Sequence, residues 1–218
     1  MINVIGYGSL LSEQSARETI PKLWGFKLVT VPNYMRIFNK VGIVFFQRYG
    51  LDENDKEISS CATRAAPGIE MICSLFQCVE SDFKALYERE HRFRWINVQC
   101  NNGGRTEIGR MCTEYNDQDY FLNKCVTPLE YERRVGQFYG GKIWRDDILP
   151  FPRYLRQCLK AAREHGQAVY RNFMETSFLA DGKTSIRAYV GRRPELLSPN
   201  IGSSGDHANE IYDFATKS

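Results

Sequence analysis

The sequence predicts an α+β domain, and three observations carry that expectation. The first half is made of short β-branched and aromatic runs separated by turn residues, the pattern of strands. Helical signals there are few and irregularly placed, which argues against a regular βαβ alternation. The later part has clearer helix starts and stops, so it reads as a more helical extension. A closed or nearly closed small barrel is the arrangement that would protect the edges of so many short strands.

The elements follow in order. Ile2 to Gly6 reads as a strand, and Ser15 with Glu18 has capping-box spacing, which with the stop at Pro21 predicts a helix over roughly Glu13 to Ile20. Trp24 to Val31, Met35 to Phe38 and Val41 to Gln47 read as strands. The acidic stretch Asp52 to Glu57 reads as a solvated loop, and Cys61 to Arg64 and Met71 to Val79 as further strands. Ser81 is expected to cap a helix from Asp82 to about Glu90. Trp95 to Cys100 returns as a strand, and Asn101-Asn102-Gly103-Gly104 supplies residues that tolerate positive φ in a hairpin turn. Thr127-Pro128-Leu129-Glu130 combines an N-cap, a first-position Pro and a reciprocal Glu. Pro152 to His165, with Gly166 just beyond, is the clearest helix. Arg187 to Val190 reads as a last strand, Pro199 to Gly205 as a loop, and the tail after Gly205 as loosely held.

Composition narrows the functional classes. In 218 residues, 29 basic and 26 acidic side chains leave a formal charge of +3, too small a surplus to suggest a nucleic-acid partner. Basic residues do gather between Tyr131 and Tyr170, where Arg153, Arg156 and Arg163 are the strongest nucleic-acid candidates. A solvated helix face is the preferred reading of that cluster. The aromatic-rich region Tyr115 to Tyr139 is expected to be core, because no glycine-aromatic RNA motif accompanies it. The longest charge-free stretch, Met1 to Ser12, has 12 residues, short of the roughly 20 that cross a bilayer. No membrane association and a cytoplasmic location are therefore expected. The 7 cysteines form no Cys-x-x-Cys pair and read as reduced, buried small hydrophobes. With only His91, His165 and His207 besides, no metal site is expected.

Two segments carry candidate chemistry. Gly6-Tyr7-Gly8-Ser9-Leu10-Leu11 lies between the first strand and the first helix, where two glycines let the backbone bend and turn consecutive amides toward one point able to hold a carboxylate. It lacks the Lys-Ser/Thr pair of a phosphate loop. In the segment Asp82 to Glu90, the stripe Phe83, Leu86, Tyr87 has Glu90 as its next position, so Glu90 is expected to face inward while Glu88 and Arg89 point away. Two readings of Glu90 stay open. It is either a terminal-turn salt bridge to Arg92 or Arg94, or a dehydrated carboxylate whose pKa rises until it can take and return a proton. Serine chemistry at Ser9 or Ser12 lacks a nucleophile elbow and a histidine partner, and no base can be placed beside a cysteine.

Together the two segments carry a resemblance. Tyr7-Gly8-Ser9-Leu10 after an N-terminal strand, then Cys61-Ala62-Thr63, Gly68 to Cys78, and Ala85-Leu86-Tyr87-Glu88-Arg89-Glu90 leading into Phe93-Arg94-Trp95-Ile96-Asn97-Val98, resembles the γ-glutamylcyclotransferase family. The family includes a glutathione-specific branch and plant avirulence-induced-gene-like proteins. The order and separations match over about the first 120 residues; beyond them the likeness is limited to Pro152 to His165 and Tyr170. The resemblance implies a small mixed β-barrel flanked by helices, no cofactor, and a γ-glutamyl small molecule as substrate. It implies that Glu90 is the acid/base and that Tyr7, Gly8, Ser9 and Leu10, with Phe93, bind the substrate. The chain departs from the family in having His91-Arg92 and Phe93 where relatives carry a Gly and a Tyr, and Cys73 where they commonly carry Gly.

The expected function is cyclisation of a γ-glutamyl compound (glutathione, a γ-glutamyl amino acid or an amine) to 5-oxoproline with release of the amine. The alternative is a non-catalytic metabolite- or protein-binding module of the same fold. Residues 1–120 are expected to form the barrel core, and residues 121–218 a helical extension packed on the same domain. That extension would either cover the cavity or pair subunits into a homodimer.

Overall fold

The computed structural model describes residues 1–197; the expected loop Pro199 to Gly205 and the tail after it lie outside the described residues. In chain order the elements are β1 (Ile2–Gly6), α1 (Glu13–Thr19), β2 (Trp24–Val41), α2 (Ile43–Tyr49), β3 (Glu57–Cys78), α3 (Glu80–Arg89), β4 (Arg94–Asn102) and β5 (Arg105–Thr113). There follow α4 (Asp117–Tyr120), α5 (Pro128–Tyr131), β6 (Leu149–Pro150), α6 (Pro152–Glu164), α7 (Gln167–Thr176), β7 (Ser177–Leu179) and α8 (Ile186–Arg192). The α+β class is as expected.

Five strands close on themselves in the order β3-β1-β5-β4-β2, with β2 pairing back onto β3. The barrel is mixed: β1 and β5 run parallel, and the other pairs are antiparallel. Closure leaves no open edge among these strands. The short strands β6 and β7 add in parallel to the outer ends of β3 and β2.

β2 and β3 are far longer than the sequence suggests. The runs read as separate strands are single strands of 18 and 22 residues that pair with each other from end to end. Their register slips at Trp24/Lys27, Pro32/Tyr34 and Ile37/Lys40, so the residues that looked like turns are bulges that bend the pair around the barrel. Asn33 takes a positive φ at one of them and accepts from the Gly68 amide through its side chain at 3.0 Å.

Five further expectations need correction. The apolar run after Val41 is the helix α2, because its Ile43, Phe45 and Phe46 are buried by the later chain, with Phe45 stacked on Phe151 at 4.4 Å. Arg187 to Val190 lies in α8, whose cap is Ser185, accepting from the Ala188 amide at 3.2 Å. Ser12, not Ser15, caps α1, while α3 starts at Glu80 after Val79 and leaves Ser81 inside its first turn. Thr127 does cap α5, but the Glu130 carboxylate turns to Arg133 and Arg134.

One core fills the barrel and continues outward through Leu155, Leu159 and Phe173, where α6, α7 and α8 cover β2 and β3. A second joins α2 to the segment after β5 through Tyr120, Val135, Tyr139 and Ile143, so Tyr120 and Tyr139 are core residues as expected. A third packs α1 and α3 against β1 through Ala16, Phe83 and Leu86. All 7 cysteines are buried and unpaired. Among the described residues, no helix is long and apolar enough to cross a membrane.

The chain between α4 and α5 closes on a π turn, Phe121–Cys125, followed by Val126 at φ 66 and ψ −35, a conformation that crowds a β-branched side chain. Val126 is 68% exposed, so its side chain makes little packing to lose. Val126→Gly is expected to stabilise the protein by about 1 kcal/mol by relieving this strain. Urea unfolding with an unchanged m-value checks it.

Candidate functional site

β1 delivers Gly6 to the barrel mouth, and the chain there folds back on itself. A Cβ at Gly6 would stand 2.5 Å from Ser74 Oγ and 2.6 Å from the Leu10 carbonyl oxygen, so only glycine fits. Ser74 Oγ donates to that Leu10 oxygen at 2.7 Å, and Leu11 donates its amide to the Gly8 oxygen at 3.0 Å. The result is a 3₁₀ turn over Ser9–Leu11 that no side chain caps, leaving the Ser9 and Leu10 amides without partners inside it. Gly8 faces α6, where a Cβ would lie 2.8 Å from the Tyr154 hydroxyl and would require that side chain to shift.

Beneath the loop lies Arg36 of β2, 0% exposed. Its Nε donates to the Tyr7 carbonyl oxygen at 2.7 Å and one terminal nitrogen to Thr176 Oγ1 at 2.8 Å. The other terminal nitrogen reaches the Ile72 carbonyl and lies 3.9 Å from Cys73 Sγ, while the guanidinium sits 4.7 Å from the centre of the Phe173 ring. No acidic side chain among the described residues pairs with it. The Tyr7 peptide is thus oriented by a buried charge.

Glu90 ends α3. Its amide donates to the Leu86 oxygen at 2.9 Å, and its own carbonyl accepts from Phe93 at 3.0 Å, a local turn that sets Phe93 against the mouth. On the stripe read from sequence, Phe83 and Leu86 are buried, Tyr87 is half-buried, and the Glu90 side chain is 21% exposed. Its ion pair runs from Oε1 to Arg89 Nε at 3.1 Å, and not to Arg92 or Arg94.

The charge of Glu90 reaches Tyr7, Lys40, Arg92 and Cys112. The Tyr7 hydroxyl is held well above its ordinary pKa, first by burial and then by Cys112, Cys61 and Glu90. Burial also pushes up the thiols of Cys61 and Cys112, of Cys73 to about 11 and of Cys158 to about 12, so these are protonated and poor nucleophiles. Of the expected site residues, Tyr7 and Phe93 lie buried near Glu90's field and Ser9 is buried in the turn. The Leu10 side chain instead packs toward the core under α1, leaving only its backbone to the loop.

Sequence reasoning missed Lys40. This lysine is 7% exposed, donates to Ser60 Oγ at 3.1 Å and the Val41 oxygen at 3.3 Å, and stands 4.7 Å over the Phe93 ring. Burial above all, then repulsion from Arg92, lowers its pKa from 10.5 to about 7, against the opposing pull of Glu90 and Cys112. Next to Glu90, His91 is buried, with Nδ1 3.3 Å from the Tyr120 hydroxyl. Burial and then the charges of Arg134 and Lys124 depress it to about 4, so it is neutral at physiological pH. Trp144 completes the wall, edge-on to Phe93 at 5.8 Å and bridged to Lys40 through the backbone. No local pattern marks Lys40 or Arg36; both sit in an apolar strand whose two faces are covered only after folding.

Two predictions follow from this wiring. Arg36→Met leaves the Tyr7 and Ile72 oxygens and the Thr176 hydroxyl without their donor, and is expected to cost about 3 kcal/mol in chemical denaturation. Arg36→Lys recovers only part, because an ammonium cannot reproduce the fork. For Lys40, the folded pKa of about 7 lies below the unfolded 10.5, so the unfolded chain binds the extra proton between those values. Wild-type stability therefore gains a rising contribution with pH across that window. Lys40→Met is expected to remove the rise, being most stabilising relative to wild type below pH 7, as thermal melts across pH would show.

No protein-family model and no curated protein matches the chain. Among solved structures it is similar to one described as a gamma-glutamyl cyclotransferase, with 16% identity and a TM-score of 0.44 over 65% of this chain and 92% of that one. It is also similar to an uncharacterized protein from Homo sapiens, at 17% identity and TM-score 0.44 over 65% of this chain and 92% of that one. A protein from Arabidopsis thaliana solved in solution is 15% identical, with TM-score 0.40 over 62% of this chain and 83% of that one.

Proposed function

We propose that the protein is a cytoplasmic γ-glutamylcyclotransferase-type enzyme, which converts a γ-glutamyl compound into 5-oxoproline and a free amine. The observation that carries the reading is a carboxylate, Glu90, whose charge acts on Tyr7 at the start of the glycine-bent loop. The motif Tyr7-Gly8-Ser9-Leu10 and the Glu90 helix end are the two segments on which the family resemblance rests.

In this reading, the amides of Ser9 and Leu10 hold the carboxylate of the γ-glutamyl group, and the buried face of Phe93 limits water. The substrate's α-amine attacks its own γ-carbonyl carbon, forming the ring C–N bond. Glu90 takes the proton that this nitrogen loses. As the tetrahedral centre collapses, the bond to the leaving nitrogen breaks, and Glu90 returns the proton to it. Because Oε1 is engaged by Arg89, we assign the transfer to the second carboxylate oxygen. Lys40, set over the Phe93 ring, brings a positive charge to the same mouth when protonated. Folding the γ-glutamyl chain for an intramolecular attack supplies much of the acceleration.

The ion pair between Arg89 and Glu90 favours a second reading, a binding module of the same fold that holds a carboxylate-bearing metabolite without turnover. The test separates the two. Incubation with glutathione, γ-glutamyl amino acids and γ-glutamyl amines is expected to yield 5-oxoproline. Glu90→Gln should lower kcat by about a hundred- to ten-thousand-fold. Ligand-induced thermal stabilisation without product, and unchanged in Glu90→Gln, would establish the second reading instead.

A further inference from the structure

Glu90 stands just past the end of α3 as its C-cap, so the helix fixes its backbone but leaves its side-chain torsions to other contacts. The contact made by its carboxylate is with Arg89, the residue before it, whose Nε lies 3.1 Å from Oε1, the two side chains being 27% and 21% exposed. A part-exposed pair of this kind adds little to stability. Both partners also leave the same helix end, so the carboxylate is held only as firmly as the arginine is.

Arg89 is held from a different element. One of its terminal nitrogens donates to Thr19 Oγ1, on the last residue of α1. Its charge also reaches Glu18, the neighbour of Thr19, where it opposes the rise in pKa that burial causes. α1 and α3 share one core over β1 through Ala16, Phe83 and Leu86, which brings the end of one helix to the end of the other. A planar guanidinium with donors in fixed directions can serve a carboxylate and a hydroxyl at once, which an ammonium on a flexible stem does less well.

At its other end, α1 continues directly from the glycine-bent loop. The Ser12 amide donates to the Ser9 oxygen at 3.1 Å, the Ser12 carbonyl accepts from the Ala16 amide at 3.0 Å, and the Ser12 hydroxyl caps the helix. The chain from Ser9 to Thr19 is thus one hydrogen-bonded piece, with the loop amides at its start and the anchor of Arg89 at its finish. We propose that Arg89 is a positioning residue for Glu90 and that Thr19 sets it in place, so that α1 acts as a strut fixing the carboxylate relative to the loop. The inference rests on the reading of Glu90 as the acid/base. Thr19 acts only through Arg89: with Oε1 held, the other oxygen keeps one direction for proton transfer.

Two variants of the full chain test the strut. Thr19→Val removes the hydroxyl and keeps the shape, and Arg89→Met removes the guanidinium and keeps an apolar stem; circular dichroism and thermal melts check that both fold. Three-bond couplings from the Glu90 amide nitrogen and carbonyl carbon to its Cγ, measured by NMR on labelled protein, report the χ1 rotamer with no need of turnover. Wild type is expected to show the couplings of a single staggered rotamer, and both variants to shift toward the rotamer average. In the 5-oxoproline assay, Thr19→Val should lower kcat about tenfold and Arg89→Met further, with KM changed less than about twofold. Arg89→Lys should recover only part of the loss. Averaged couplings in wild type, wild-type couplings in either variant, or a wild-type kcat in Thr19→Val would each overturn the assignment. If no γ-glutamyl compound is turned over, the enzyme reading fails by itself and the couplings alone decide whether the strut exists.

Discussion

Arg36 brings a guanidinium to a position with no access to water and no acidic partner among the described residues, so the fold has to answer that charge with dipoles. An uncompensated buried cation would cost several kcal/mol. The structure meets it with two backbone carbonyls, a hydroxyl, a thiol sulfur and an aromatic face. These partners belong to the N-terminal loop, β3 and α7. A displacement of any of them exposes the charge to an unmet demand, so loop, barrel wall and C-terminal helix behave as one unit. The direction of the Tyr7 peptide, from which the following amides take their aim, is a consequence of that demand.

The barrel mouth shows a second electrostatic economy. One carboxylate, Glu90, stands among Arg89, Arg92 and Lys40, a set that would repel any further cation. Two of its neighbours relieve the excess by giving up protons: His91 is neutral well above its pKa of about 4, and Lys40 is close to half-charged at pH 7. Burial is the larger cause in both cases, because a charge in a poorly hydrated site costs more than its nearest opposite charge returns. The thiols around Tyr7 respond oppositely, staying protonated because their charged form is the anion. The sulfurs of Cys61 and Cys112 are therefore poor nucleophiles, and the Tyr7 hydroxyl near them keeps its proton as well.

The later chain explains why β2 has no exposed face near its end. α6 and α7 cover the outside of the β2–β3 pair, and Asn172 of α7 imitates a neighbouring strand. Its Oδ1 accepts from the Ile72 amide at 2.8 Å, and its Nδ2 donates to the Glu70 oxygen at 2.9 Å. Tyr154 of the same layer sets the hydroxyl that presses against Gly8. The aromatic segment after β5 closes the other side through Tyr120 and Tyr139.

What was legible in the sequence was local. The first strand, the glycine-bent turn after it, the hairpin at Gly103-Gly104, the Thr127 cap and the helix ending before Gly166 all rest on backbone preferences that a few adjacent residues determine. The stripe that turns Glu90 inward is legible for the same reason, since helical spacing is a local property. The rest depended on partners distant in the chain. Ile43 to Tyr49 is helical because Phe151 and Tyr139 receive its aromatic rings, and β2 runs through Pro32 because a bulge bends it around a closed barrel. Arg36, Lys40 and Asn39 could be recognised only after folding. Their meaning lies in being dehydrated, and dehydration is decided by which segments come to cover them, a quantity that no short stretch of residues contains.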